Sequence, residues 1–155
     1  MIKKRHEQCV VLLDDCFDSA SIHRELSEHG FQVERFTDHF PDEHRDGYRA
    51  QNIKDGAVIQ LCQRRGFLLF TADREMRRAH LEKLKKTDIG VVATANYRDG
   101  TAVWIAAFAS AKARILRDFK KAERPYFSIL QKSGRITTEH IGANTRASRA
   151  QDEED

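Results

Sequence analysis

The chain has 155 residues, of which 40% are hydrophobic and 33% charged, and a formal net charge of +3. That length suits one domain with a substantial buried core, and the composition excludes fibrous and membrane-embedded classes. No run approaches the roughly 18–20 unbroken apolar residues that a membrane span needs.

Residues Met1 to Gln8 are polar and lead straight into a strand pattern. With no apolar signal core there, the expected compartment is the cytoplasm. The three cysteines, Cys9, Cys16 and Cys62, are odd in number and lack CxxC spacing. This argues against a disulfide framework and against a structural zinc site. Cys9 and Cys62 sit in apolar patterns and are expected in the core. Cys16 follows two aspartates and is expected at the rim of a site. The seven histidines are scattered without ligand spacing and are read as surface residues.

In chain order, Cys9 to Leu13 (CVVLL) is a continuous apolar run rich in β-branched residues. It predicts a buried strand, of the kind found in parallel sheets. It ends at Asp14-Asp15. Ser19 or Asp18 can cap a helix with Ile22 and Leu26 on its inner face, stopped by Gly30. Phe31 to Phe36 alternates apolar and polar and predicts a more exposed strand. Residues 37–52 are polar and irregular, and predict a long loop with room for a helical turn. Asp55 is expected to open a helix with Val58, Ile59, Leu61 and Cys62 turned inward and Gly66 at its end.

Phe67 to Phe70 (FLLF) predicts a second buried strand, finishing at Thr71-Ala72-Asp73. A basic helix to about Lys86 and a strand over Ile89 to Ala93 follow. After Gly100, Val103, Ala107, Ala111, Ile115 and Phe119 form an i, i+4 row, the mark of one long amphipathic helix. Pro125 ends it. Tyr126 to Leu130 and Arg135 to Thr138, joined through Ser133-Gly134, predict a terminal β-hairpin. From about Gly142 the chain lacks apolar content and closes on Asp152 to Asp155 (DEED), so a disordered charged tail is expected over 142–155. Residues 1–141 therefore read as one α/β domain with a mostly parallel sheet and helices on both faces.

In such sheets the site forms beyond the carboxyl ends of the strands. The first strand ends at Asp14-Asp15 and a later one at Asp73, with Asp55 near the same edge. Carboxylates gathered there repel one another unless a cation neutralises them. Mg²⁺ takes one or two carboxylates with waters and substrate phosphate, and such a site can activate water for phosphodiester cleavage. Taken singly, Asp55 and Asp73 can each be helix caps, and Thr71 a strand-end hydroxyl. Two adjacent acids at the end of a buried strand are harder to explain without a partner. Two basic segments complete the pattern. Arg74, Arg77, Arg78, Lys83, Lys85 and Lys86 lie in one, and Lys112, Arg114, Arg117, Lys120, Lys121 and Arg124 in the other. They are either solvated helix faces or a surface that tracks phosphates.

VVLLDDC, followed about 40 residues later by DGAVIQLCQRRGFLLFTADREM, resembles the PIN-like domains related to VapC-type toxin ribonucleases. That family typically begins I-L-L-D-E-N, has an aspartate opening a helix, and then a strand ending T-R-D-x-D-F or T-x-N-x-x-D. The resemblance covers about residues 9–95. It implies a three-layer α/β/α PIN-like fold, here with a long C-terminal helix and short hairpin. It also implies an endoribonuclease that uses Mg²⁺ or Mn²⁺, the toxin of a toxin–antitoxin pair with an antitoxin protein as partner. By the match, metal binding falls on Asp14, Asp55 and Asp73, with Asp15 and Thr71 completing the catalytic set. Glu75 would support from outside the ligand shell. Arg74, Arg77 and Arg78 would contact RNA phosphates. Cys16 stands where the family has Asn, and Met76 where it has an aromatic. The family's early-helix glutamate has no clear match, with Glu34, Asp42 and Glu43 as candidates. Tyr97 and Trp104 are candidates for stacking on a base, Trp104 more readily for core packing. The long helix, through Trp104 and Phe108, offers an apolar surface for a homodimer.

Two other classes compete. A receiver-like phospho-accepting domain also ends its first strand in an acidic pair, but leaves Asp55 without a role. A catalytically degraded PIN-like module would bind RNA or protein without cutting.

Overall fold

In the computed structural model the chain forms an α/β domain around one mixed sheet. Residues 8–40, 48–95 and 100–141 are described, with the backbone alone for 48–54. The expected tail over 142–155, Tyr97, Asp42 and Glu43 lie outside the described residues.

The strands are β1 (Val10–Leu13), β2 (Gln32–Glu34), β3 (Leu68–Thr71), β4 (Gly90–Thr94), β5 (Tyr126–Leu130) and β6 (Ile136–His140). The helices are α1 (Ala20–Glu28), α2 (Tyr48–Arg65), α3 (Met76–Ala79), α4 (Leu81–Lys85), α5 (Thr101–Ser110) and α6 (Lys112–Lys121). The sheet order is β2-β1-β3-β4-β5-β6. All pairings are parallel except β5 with β6, which is antiparallel and closes the expected hairpin.

The apolar runs fall where they were expected. Every residue of β3 and β4 is buried, because helices cover both faces of a parallel sheet. Alternate side chains feed two cores. Val11, Leu13, Phe70 and Val92 pack with α1, α5 and α6, where the Phe70 and Phe108 rings stack at 4.2 Å. Leu12, Leu69, Val91 and Ala93 pack with Val58, Ile59 and Cys62 of α2, Met76 of α3 and Leu84 of α4. The result is three layers.

The connection from β3 to β4 crosses on the α2 face, and that from β4 to β5 crosses on the α1 face while moving the same way along the sheet. The last crossover therefore has the opposite hand to the first three, a departure from the general rule for parallel strands.

Local signals account for most boundaries. Ser19 caps α1 by accepting a hydrogen bond from the Ile22 amide at 3.0 Å. Gly66 ends α2 with φ +72°, a conformation that glycine enters without steric cost. Gly90 lies under the Tyr126 ring, where an added Cβ would stand 2.4 Å from Cζ.

Four expectations need correction. Asp55 does not open a helix: α2 begins at Tyr48 and Asp55 lies inside it, so part of the predicted loop is helical. The basic segment is two short helices broken at His80, whose φ of −123° and ψ of 30° are not helical. The long C-terminal helix is likewise two, broken at Ala111 (φ −91°, ψ 4°), although Ala107, Ala111, Ile115 and Phe119 stay buried across the break. Finally, Trp104 and Phe108 are each only 2% exposed, so they serve the core and offer no surface for a dimer.

Candidate active site

The chain leaves β1 for β2 on one side and reaches β3 on the other side of β1. The order of strands thus reverses at β1–β3, the place where open α/β sheets bind their ligands. Leu13 pairs with Phe70, so the next residues on the two strands, Asp14 and Thr71, stand level at that crevice. Each is two residues beyond a member of the α2-side core, and both side chains turn to that face.

Asp14 is 2% exposed and Thr71 is fully buried. The Thr71 hydroxyl donates to Asp14 Oδ2 at 2.6 Å, and the Asp15 amide donates to Asp14 Oδ1 at 2.8 Å. A buried carboxylate needs such donors to stay charged. The charge acts on its surroundings: the Cys62 thiol is pushed well above its ordinary value, first by burial and then by the nearby Asp14 carboxylate.

Thr71 has a second role. Its Oγ1 accepts the Asp73 amide at 3.0 Å, so one hydroxyl ties the Asp14 carboxylate to the backbone that carries Asp73. The Asp73 carboxylate in turn accepts the Glu75 amide at 3.0 Å, shaping the turn into α3. Cys16 lies on the same spot. Its Sγ accepts the Ala72 amide at 3.1 Å and stands 3.8 Å from Thr71 Oγ1, and its side is open to solvent.

Asp55 lies on α2. It lies eleven residues before Gly66, about 16 Å along a helix at 1.5 Å per residue. The four residues of β3 span about 13 Å. A straight helix running back from β3 would carry Asp55 to about the height of the strand ends. Its Oδ2 accepts from His80 Nε2 at 3.1 Å.

The remaining predicted residues spread outward. Asp15 is partly exposed and starts the 3-10 turn after β1. Glu75 pairs with Arg78 at 2.5 Å on the surface. Arg77 reaches across to Glu139 of β6 at 2.7 Å. Arg74 is exposed beside the turn. Of the candidates for a further acid, Glu34 is held by His39 at 2.6 Å.

Among the described residues no three His, Cys, Asp or Glu side chains stand together at metal-binding spacing. Asp14 and Asp73 share the Thr71 hydroxyl at one strand end, through the Asp14 carboxylate and the Asp73 amide, while Asp55 is held by His80; the three do not form one coordination shell. The donor set is nonetheless all oxygen, as hard divalent cations require, and Mg²⁺ needs only one or two direct carboxylates because it keeps several waters.

Two participants were not legible in the sequence. His80, the partner of Asp55, lies 25 positions away in a basic stretch. Asp18 is buried against Arg35 at 2.9 Å and Thr37 at 3.3 Å, a contact that needs β1 and β2 paired. Comparisons with protein-family models, with curated proteins and with solved structures gave no match. No helix among the described residues is long and apolar enough to cross a membrane.

Proposed function

We propose that this chain is a metal-dependent endoribonuclease of the PIN-like kind, acting as the toxin of a toxin–antitoxin pair in the cytoplasm. The observation that carries the reading is the buried Asp14 carboxylate, held by Thr71 at the crevice where the strand order reverses, with Asp73 on the same hydroxyl. Mg²⁺ or Mn²⁺ bound by Asp14 and Asp73, with Asp55 at the same level, would lower the pKa of a water and offset charge on the phosphate. The chain's own part is to orient these carboxylates and partly shield them. Thr71 and the Asp15 amide hold Asp14. The turn from Ala72 to Glu75 holds Asp73. Exposed Arg74, and Arg78 on release from Glu75, flank this turn and suit an RNA backbone, a contact that carries no sequence information. Arg77 would have to leave Glu139 to join them.

The rival that keeps a specific observation is the non-cutting module, since the carboxylates do not share one coordination shell. A receiver-like domain gains the strand order β2-β1-β3-β4-β5. It loses the phospho-acceptor, because the residue level with Asp14 on β3 is Thr71 and Asp73 lies two positions beyond.

The test is cleavage of a labelled RNA pool by the purified protein with Mn²⁺, Mg²⁺ or EDTA, beside Asp14→Asn and Asp73→Asn. Metal-dependent cleavage lost in both variants is the expected result. A folded protein that cuts nothing, or cuts as well without those carboxylates, would overturn it in favour of the binding module.

A further inference from the structure

The Asp55–His80 pair joins two segments that the chain keeps far apart. Beside Asp55, the tip of the Lys83 side chain from α4 lies over Gly56, where an added Cβ would come 2.9 Å from Nζ, and Leu84 of α4 shares a core with Val58 and Ile59 of α2. His80, at the break between α3 and α4, places its Nε2 3.1 Å from Asp55 Oδ2. Asp55 and His80 are both mostly covered, at 17% and 27% exposure of their side chains. A carboxylate only accepts, so the imidazole Nε2 carries the hydrogen and donates it to Oδ2. Oδ1 is left without a partner among the described residues.

From this geometry we propose that His80 is the positioning residue of Asp55: it fixes one carboxylate oxygen so that the other faces a divalent cation at the sheet edge. The inference rests on the nuclease reading above and adds a residue to it. A carboxylate side chain on a helix has two free torsions, and a bond to Oδ2 removes that freedom before the cation arrives. Partners of this kind, one step behind the ligand, typically change metal affinity ten- to hundredfold when removed.

The experiment is calorimetric titration of the full chain with Mn²⁺, for the wild type, His80→Ala, His80→Asn, Asp55→Asn and the double variant Asp55→Asn with His80→Ala. His80→Ala should weaken Mn²⁺ binding by about tenfold to a hundredfold. His80→Asn keeps an N–H donor and should recover much of that loss. In the Asp55→Asn background, His80→Ala should weaken binding no further, because the two act as one unit. Unfolding midpoints measured in EDTA separate this from a purely structural role, which would lower stability and weaken binding equally in both backgrounds. Unchanged Mn²⁺ affinity in His80→Ala, or an equal loss without Asp55, overturns the inference while leaving the nuclease reading intact. A wild type that binds no Mn²⁺ overturns both.

Discussion

Replacing Thr71 with valine removes one oxygen atom and almost no volume, yet it strikes the centre of the site. Valine fills the same fully buried position, so no cavity forms and packing should be preserved. What is lost is the hydrogen bond to Asp14 Oδ2 at 2.6 Å and the acceptor for the Asp73 amide at 3.0 Å. A hydrogen bond to a charged group contributes about 1.5–3 kcal/mol and an ordinary one about 1 kcal/mol. Because Asp14 is 2% exposed, water cannot easily take the place of the hydroxyl. Thr71→Val should therefore cost about 2–4 kcal/mol of stability at pH 7, measured by urea unfolding with the slope m unchanged. A double-mutant cycle with Asp14→Asn should return a coupling of about 1–3 kcal/mol. A Thr71→Val protein within about 0.5 kcal/mol of wild type, the usual range for a neutral surface change, would refute the idea that this hydroxyl holds the carboxylate.

Gly90→Ala should destabilise by about 1–3 kcal/mol, since its Cβ would meet the buried Tyr126 ring; thermal unfolding checks it, and an unchanged midpoint would mean the ring moves freely. Iodoacetamide should modify exposed Cys16 in the native protein and buried Cys62 only after unfolding, as peptide mass mapping would reveal. The adduct on Cys16, 3.8 Å from the Thr71 hydroxyl, should abolish cleavage; full activity of the alkylated protein would remove Cys16 from the rim of the site. Burial pushes the Cys9 thiol from an ordinary 9.0 up to about 12, with Arg124 opposing the rise, so between those values the folded chain keeps a proton that the unfolded chain loses. Stability from this group is full below pH 9 and declines as pH rises toward 12. A Cys9→Ala variant should show a shallower alkaline decline, and an identical slope would discount the thiol.

The strands were legible because their cause is local. Runs such as VVLL and LLFT are apolar on both faces, and only a sheet covered on both sides buries them. The Ser19 cap and the Gly66 stop are equally local, since each concerns one or two amides nearby in sequence. The positions of Asp14, Thr71 and Asp73 at strand ends followed from the same runs.

Helix boundaries were less legible. The polar stretch before Asp55 has no apolar periodicity, so the first two turns of α2 leave no signature, and an i, i+4 row passes through the break at Ala111 unchanged. What only the tertiary structure decided was which groups meet. That Thr71 binds Asp14 depends on the register of β1 against β3, and that His80 binds Asp55 depends on α4 packing in one core with α2. The burial of Trp104 depends on α5 crossing on the α1 face. Hydrophobic pattern sets whether a segment is strand or helix because burial of its own side chains is a local demand. It says little about register, crossover side or partner, because those are chosen by free energies shared between segments 25 or 57 positions apart.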